Sequence, residues 1–253
     1  MKSEFDSIAK YYDMFHKGNE GDLKFYQKEA SKSSTVLDVG CGTGRLAIPI
    51  AKKGIKVVGI DMSKKMIDIA RNKAKADGLG NKVKFLQRDM KKFNLRKKFD
   101  LIIIANRSFL NAVTDKDQKN TLLCCKRHLK KGGRLIFNIF VPDCKIISQQ
   151  NSKEELLKTF FDKKNKETIK LYYKSRIDRL NQISYSEYII KKIKNNRKIY
   201  EKRNRITLRY CFFTEIKYLL ELCGFKVKNV YGDFNRHRIN EKSREMIWIV
   251  NRK

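Results

Sequence analysis

The 253-residue sequence predicts one α/β domain with a parallel sheet, and a smaller antiparallel sheet inserted toward the C-terminus. From residue 35 to 142, apolar strand-like segments alternate with helical segments, as in a parallel sheet covered on both faces. From residue 168 to 213 there is no glycine or proline, and apolar and polar residues alternate as in exposed strands. No apolar run is longer than the five residues of 101–105, which is too short to cross a membrane.

The parallel part is predicted to contain five strands, which are TVLDV, KVVGI, KVKFLQ, FDLIIIA and RLIFNIF. Helices are expected at GRLAIPIAKKG, which ends at Gly54, at SKKMIDIARNKAKADG, and at DKDQKNTLLCCKRHLKKGG. Ser63 precedes the second helix and is expected to be its N-cap. Ligands of such sheets bind at the carboxyl ends of the strands, so a site is expected there.

The C-terminal part is expected to be an elaboration of the same domain, which spans residues 1–253. RLNQI and KNNRK indicate turns within the antiparallel insertion, residues 168–213. Residues 214–253 then contain a helix, TEIKYLLELCG, with Thr214 as its expected N-cap and Gly224 just past its end. Two closing strands follow, FKVKNVYGDF and REMIWIVNRK.

The formal charge of +32 raises the question of a polyanionic partner. The basic excess is divided evenly between residues 1–144 and 145–253, without a detached basic tail. A lysine-rich solvated surface is therefore favoured over a dedicated nucleic-acid face, although RNA stays open as a partner.

The cysteines and the N-terminal sequence indicate the cellular compartment in which the protein is expected. The six cysteines form no C-x-x-C pair and there are only three histidines, so no metal site is predicted. No apolar run follows a basic segment at the N-terminus, as a secretory signal would require. We therefore expect a reduced, cytoplasmic protein without a membrane partner.

The segment VLDVGCGTGRL places three glycines between the first strand and its helix, at positions 40, 42 and 44. Glycines at such a junction permit a tight turn and close approach of a ligand to the backbone. The spacing is not the dinucleotide fingerprint, because Gly44 comes one residue early and Arg45 occupies the third glycine position. A P-loop is excluded as well, because the segment lacks G-x-x-x-x-G-K-[ST].

Acidic residues at three successive strand ends indicate an adenosine-like ligand. Asp38 precedes the glycines, and Asp61 follows the second strand, where a carboxylate can accept hydrogen bonds from both ribose hydroxyls. Asp61 could instead cap the next helix, but Ser63 already fills that role. Asp89 ends the third strand, where it could accept from an adenine amino group while Met90 packs on the ring.

In order and spacing, LDVGCGTGRL, GIDMS, QRDM, FDLIII and LKKGGRLIF resemble the motifs of class I S-adenosylmethionine-dependent methyltransferases. The resemblance covers residues 35–142, the expected cofactor-binding core, and implies S-adenosyl-L-methionine as cofactor. It also implies a Rossmann-like seven-stranded sheet of order 3-2-1-4-5-7-6, with the last strand antiparallel. The cofactor contacts implied by this resemblance are Tyr26, Asp38, Gly40, Cys41, Gly42, Asp61, Met62, Asp89, Met90 and Asn106.

The N-terminal stretch IAKYYDMFHKGNEGDLKFYQKEA resembles the lid of small-molecule methyltransferases, such as glycine and amino-sugar N-methyltransferases. The resemblance implies lid helices in residues 1–30, with Tyr12-Asp13 in the place of a Tyr-Asp pair that precedes the core and Phe25-Tyr26 in the place of a Phe-Tyr element that leads into its first helix. An antiparallel insertion before the sixth strand is shared with the same group. A simpler alternative is that Tyr11, Tyr12 and Tyr26 form an aromatic stripe that packs an N-terminal helix on the core.

One position departs from these relatives, which carry a Ser-x-x-His element after the fourth strand. Here the segment is NRSFLNA, so Asn111 stands where the histidine would be. Asparagine cannot act as a general base, but it can orient an acceptor by hydrogen bonding. The expected catalytic residues are therefore Tyr12 and Asn111, and none of His16, His128 and His237 is an obvious replacement.

These observations favour a methyltransferase that acts on an amine or hydroxyl of a small molecule by in-line transfer. An RNA methyltransferase that uses the basic surface and a cofactor-binding pseudo-enzyme are the alternatives. The segment after the fourth strand, IANRSFLNA, lacks both the proline pair of base-amine methylation and the cysteine of cytosine-carbon methylation. A homodimer formed through residues 168–213 is a further expectation.

Overall fold

The computed structural model describes residues 3–149, 151–195 and 197–252, and contains a seven-stranded and a four-stranded sheet. The strands are β1 Thr35–Val39, β2 Lys56–Asp61, β3 Val83–Gln87, β4 Phe99–Ile104, β5 Leu129–Phe140, β6 Glu155–Asp162, β7 Glu167–Asp178, β8 Ile183–Lys194, β9 Arg197–Arg209, β10 Phe225–Tyr231 and β11 Glu245–Arg252. The α-helices are α1 Ala9–Phe15, α2 Asp22–Ala30, α3 Ala47–Lys52, α4 Lys64–Ala76, α5 Asp115–His128, α6 Cys144–Ser148 and α7 Phe213–Leu222. Short 3-10 helices span Glu4–Ser7 and Ser108–Asn111.

The large sheet has the order β3-β2-β1-β4-β5-β11-β10. Strands β1 to β5 pair in parallel, and β11 is antiparallel to both β5 and β10. The predicted order 3-2-1-4-5-7-6 with an antiparallel last strand is therefore confirmed. The carboxyl ends of β1, β2 and β4 meet at one edge, which places the glycine loop and the segment after β4 side by side.

Both faces of the large sheet are buried, as its apolar strands predict. In β4, Leu101 and Ile103 join one core cluster, while Ile102 and Ile104 join the other. All four side chains are fully buried. This two-residue alternation across the sheet explains why residues 101–104, LIII, are all apolar.

The four-stranded sheet has the order β6-β7-β8-β9 and is antiparallel throughout. Residues 179–182 join β7 to β8, at the turn that RLNQI predicted. Strand β6 precedes the segment that the sequence indicated as strands. It is an edge strand that is largely exposed on both faces, so its residues, ELLKTFFD, do not alternate.

Two predicted helix boundaries were wrong. Helix α7 starts at Phe213, and Thr214 lies in its first turn instead of at the N-cap. The backbone N–H of Phe212 donates to Glu215 Oε2 at 3.2 Å, so a side chain from within the helix supplies the cap. Helix α5 ends at His128, because the residues that follow it, LKKGG, already belong to β5.

The N-terminal segment, residues 3–30, lies against the four-stranded sheet and connects it to the core. Ile8 and Phe15 pack in one cluster with Ile169, Ile190 and Ile206 of that sheet. The Ser7 hydroxyl also donates to Asn204. Among the described residues, 3–149, 151–195 and 197–252, no helix is long and apolar enough to span a membrane.

We expect the substitution Ile190→Ala to lower the free energy of unfolding by about 2–4 kcal/mol, because it opens a cavity at this contact. Ile190 lies on β8 and is fully buried in the cluster that contains Ile8 and Phe15 of the N-terminal segment. Urea denaturation measures the change, and Ile199→Ala on β9, where the side chain is 50% exposed, is the control. Equal effects of the two substitutions would contradict the packing described here.

Candidate active site

The glycine loop leaves β1 with backbone angles that favour glycine. Gly40 and Gly42 have φ values of 74° and 53°. A Cβ on Gly40 would lie 2.9 Å from the Ser108 side chain, whereas a Cβ on Gly42 would have only the Tyr12 ring near it, at 3.9 Å. The absence of a side chain therefore leaves the backbone of Gly42 open toward Tyr12, and it allows Ser108 to lie close to Gly40.

Arg45, at the position of the third glycine in the dinucleotide fingerprint, binds the N-terminal segment. Its guanidinium donates two hydrogen bonds to the Asp22 carboxylate, at 2.9 and 2.7 Å. The Thr43 hydroxyl donates to Asp13 of α1 at 2.5 Å. The glycine loop is thus held to both helices of the N-terminal segment by charged groups.

The three predicted acids lie at the edge where the strands end. Asp61 accepts hydrogen bonds from the backbone N–H groups of Gly42, at 2.9 Å, and Ser63, at 2.8 Å. A carboxylate has four acceptor positions, so Asp61 keeps capacity for two further donors. Asp89 accepts from the N–H of Lys91 at 2.9 Å. Ser63 is the N-cap of α4, as predicted, because its hydroxyl accepts from the N–H of Met66 at 3.1 Å.

Burial changes the proton affinity of two of these acids. It raises the pKa of Asp38 to about 7, an effect that nearby Asp61 reinforces and Arg45 opposes. Burial also raises the pKa of Asp61, against the hydrogen bonds from Ser63 and Gly42. Negative charge at this edge is therefore costly without a cationic or hydrogen-bonding ligand.

A cavity of about 290 Å³, which we call the strand-end cavity, adjoins the acids. Its polar lining consists of the carboxylates of Asp61 and Asp89 and the backbone of Gly40 and Gly42. Methionine side chains supply the apolar wall, namely Met62, Met66 and Met90. Residues Ser3, Glu4 and Phe5 of the N-terminal segment cover it. Apolar walls with a few convergent acceptors suit a flat ring joined to a polyhydroxyl group.

A larger cavity of about 850 Å³ lies between the two sheets, and we call it the intersheet cavity. From the core side it is lined by Asn106, Asn111 and Phe140. From the four-stranded sheet it is lined by Tyr173, Ser175, Ser184, Ser186 and Tyr188. A third, small cavity of about 30 Å³ is lined by Asp38, Cys41 and Asn106, among others.

Tyr12 and Ser108 line all three cavities, and Asn111 lines the two larger ones. The Tyr12 hydroxyl accepts a hydrogen bond from Asn106 Nδ2 at 3.1 Å. Burial raises the pKa of Tyr12 to about 12, so its phenol stays protonated at neutral pH. Asn111 Nδ2 donates to the Ser108 carbonyl at 3.0 Å, which fixes its amide. Both residues expected to contact an acceptor therefore lie where the cavities meet.

Tyr26 is the expected site residue that the structure places elsewhere. It is fully buried in the core, where its hydroxyl donates to Asn138 Oδ1 at 3.0 Å. Its ring packs against Phe25 and Phe234. Among the described residues that line the three cavities, Tyr26 does not occur. Tyr26 therefore packs in the core, as in the alternative in which the aromatic residues of the N-terminal segment pack against the core.

The histidines differ sharply in their surroundings. His128 is structural, because its Nε2 accepts from the N–H of Leu95 at 3.0 Å and its Nδ1 lies 2.7 Å from the Cys124 carbonyl. His237 is exposed beside Asp233. His16, which the sequence did not single out, lines the intersheet cavity. Its position four residues after Tyr12 was the available signal, since such pairs share a helix face.

No group of three or more histidine, cysteine, aspartate or glutamate side chains in the described part of the chain is placed to hold a metal ion.

Residues 36–133 match a family model described as a methyltransferase domain. The whole chain has the fold of the class I S-adenosylmethionine-dependent methyltransferases. Its structure is similar to that of the CcbJ methyltransferase from Streptomyces caelestis, with a TM-score of 0.80, 22% identity and coverage of 93% of this chain and 97% of that one. CalS10 from Micromonospora echinaspora, an amino pentose methyltransferase solved with S-adenosylmethionine bound, gives a TM-score of 0.72, 17% identity and 96% coverage of both chains.

Among curated sequences, the ubiquinone biosynthesis O-methyltransferase of Coxiella burnetii is 34% identical over 129 residues. The match covers 49% of this chain and 51% of that protein. The chain spans about half the length of the curated relatives it matches first, 50% and 55% of those proteins.

We expect Arg45→Met to destabilise the fold by about 3 kcal/mol, because it leaves the Asp22 carboxylate buried without its partner. The Asp22 side chain is only 3% exposed. Lys52→Met is the matched control, since the Lys52–Asp77 pair is exposed and should contribute less than about 0.5 kcal/mol. Denaturant unfolding of the double variant Arg45→Met/Asp22→Asn should recover most of the loss; no recovery would mean that the ion pair is not the cause.

Proposed function

We propose that this protein is an S-adenosylmethionine-dependent methyltransferase that acts on an amine or hydroxyl of a small molecule bound in the intersheet cavity. One observation carries the proposal. A cavity with the chemistry of a nucleoside site adjoins a larger cavity with mixed aromatic and hydroxyl walls, and the two share Tyr12 and Asn111. Methyl transfer needs two ligands brought together in line, and this arrangement provides adjacent places for them.

The residues of the strand-end cavity fit the proposed cofactor. Asp61 has acceptor capacity for the two ribose hydroxyls, while Asp89 is available to an adenine amino group. Met62 and Met90 supply apolar contacts for the ring. Asp38 and Asn106, with the backbone of Gly40, Cys41 and Gly42, line the small cavity, which we assign to the methionine end. Tyr26 then supports the site from the core.

When bound, the cofactor supplies a methyl group on a positively charged sulfur, which a neutral amine can attack without covalent catalysis. The chain contributes orientation and exclusion of water. Tyr12 and Asn111 provide a protonated phenol and an amide at the meeting point of the cavities. Neither is a strong base at neutral pH, so their role in this proposal is to hold the acceptor.

The nature of the acceptor is supported by the cavity walls and by the relatives. Ser175, Ser184 and Ser186 present hydroxyls beside the rings of Tyr173 and Tyr188, which suits a polar molecule with an apolar face. CalS10 is named for an amino pentose and the Coxiella burnetii relative for O-methylation. Both amine and hydroxyl acceptors therefore belong to the proposal.

Asp61→Ala should weaken binding of S-adenosylmethionine at least 30-fold, because it removes charge-assisted hydrogen bonds to the ribose. Isothermal titration calorimetry measures the dissociation constant. Asp68→Ala is the control, since Asp68 is an exposed residue of α4 in contact with Lys64. Unchanged affinity in the Asp61 variant would show that the ribose is bound elsewhere.

Binding of S-adenosylmethionine should also depend on pH through Asp38. With its pKa raised to about 7, Asp38 carries a proton in the free protein below that pH, and an ammonium group binds its ionised form. We expect the dissociation constant to rise about 25-fold between pH 7.5 and 5.5. Asp38→Asn should bind more weakly and lose this dependence. A variant that keeps the full slope would assign the titration to another group, such as Asp61.

Binding and turnover together separate the proposed enzyme from a cofactor-binding pseudo-enzyme. The enzyme should transfer label from methyl-tritiated S-adenosylmethionine to at least one acceptor in a panel of small amines and phenols. Tight cofactor binding without transfer to any of them would favour the pseudo-enzyme.

A further inference from the structure

The segment after β4 lacks the histidine that the small-molecule methyltransferases it resembles carry there, and Asn111 occupies its place. A histidine nevertheless reaches the same cavity from another element. His16 is the C-terminal cap of α1 and lines the intersheet cavity together with Tyr12 and Asn111.

We propose that His16 contacts the acceptor and orients its reacting nitrogen by accepting a hydrogen bond from it. This inference rests on the proposed function and specifies how the acceptor is held. The imidazole of His16, on the N-terminal segment, would thus position the acceptor in place of a histidine after β4.

The geometry around His16 fixes the plane of its ring. The imidazole stacks on Tyr12, with centroids 4.5 Å apart and an interplanar angle of 27°. The ring of Tyr188 on β8 meets it edge-on at a centroid distance of 5.8 Å. A ring held between two aromatic residues from different elements presents its nitrogens in a defined direction, which is what positioning an acceptor requires.

The ring nitrogens of His16 have no hydrogen-bond partner among the described residues 3–149, 151–195 and 197–252, unlike those of His128 and His237. The atoms are instead available to the cavity that the ring lines. Neutral imidazole has one donor and one acceptor nitrogen, so it can accept from an N–H group of an amine.

Electrostatics keep this ring uncharged. Burial lowers the pKa of His16 to about 4, and the positive charge of Lys158 on β6 adds to the effect. The other titratable groups that contact the ring are the phenols of Tyr12 and Tyr188, and burial raises the pKa of both. A neutral imidazole does not repel a positively charged methyl donor, and its lone pair is available throughout the neutral range.

The bonding changes are those of a simple displacement. The lone pair of the neutral amine forms the new bond to the methyl carbon, and the carbon–sulfur electron pair returns to sulfur. The amine keeps its proton, so the methylated product leaves as an ammonium ion and loses the proton to solvent. His16 accepts a hydrogen bond throughout and is not itself protonated.

The test compares His16→Phe, His16→Gln and the wild type. Phenylalanine keeps the aromatic contacts with Tyr12 and Tyr188 but removes both nitrogens, whereas glutamine restores an acceptor and a donor. His237→Gln is the matched control, because its side chain is 73% exposed. Glycine, glucosamine and catechol are the acceptor probes, and kinetics of the variants are measured with the probe that the wild type methylates fastest.

We expect His16→Phe to lower kcat/KM for the acceptor at least tenfold and His16→Gln to recover part of the loss. Dissociation constants for S-adenosylmethionine and melting temperatures should match the wild type, as should the kinetics of His237→Gln. Wild-type kinetics in His16→Phe, or faster methylation of catechol than of either amine, would overturn the inference and leave the proposed function standing. Failure of the wild type to methylate any probe would overturn both.

Discussion

The attachment of the N-terminal segment to the glycine loop is the contact on which the rest of the site depends. Asp22 holds Arg45 and Asp13 holds Thr43, so the loop that follows β1 is fixed to α2 and α1. Tyr12, on the same helix as Asp13, thereby lies over Gly42 and borders all three cavities. Without this attachment the strand-end cavity would lose its cover and the intersheet cavity would lose one of its walls.

The four-stranded sheet supplies the opposite wall and holds the N-terminal segment from the other side. The face of this sheet that lies toward the core carries two sets of residues, which occupy different positions along the strands. Ile169, Ile190 and Ile206 pack against Ile8 and Phe15 of the N-terminal segment. A second set, Tyr173, Ser175, Ser184, Ser186 and Tyr188, lines the intersheet cavity. One face of one sheet thus provides both the structural contact and the polar surface for a ligand.

Much of the fold could be predicted because its elements follow from local patterns. The strand order was implied by the resemblance to class I S-adenosylmethionine-dependent methyltransferases, and Asp61 and Asp89 reach the strand-end cavity because strand ends share one edge. What failed falls into two groups, one local and one dependent on long-range contacts. Edge strand β6 has little apolar alternation, and the cap of α7 comes from Glu215 instead of Thr214. Tyr26 and His16 are both aromatic residues of the N-terminal segment, and only the docking of that segment decides that Tyr26 enters the core while His16 enters the cavity.

The charge of the chain and the charge of its site act over different distances. A surface with a net charge of +32 would repel a cationic methyl donor if the charges acted without screening. Salt reduces such effects beyond about 8 Å at physiological ionic strength, so the exposed lysines lose most of their influence. Asp38 is buried and is screened far less, and burial is the main cause of its raised pKa, which Asp61 raises further and Arg45 opposes. In the proposed function, the amino group of the bound cofactor would offset the cost of ionising the Asp38 carboxylate. The proposed site would thus attract a cation locally, against the sign of the molecule as a whole.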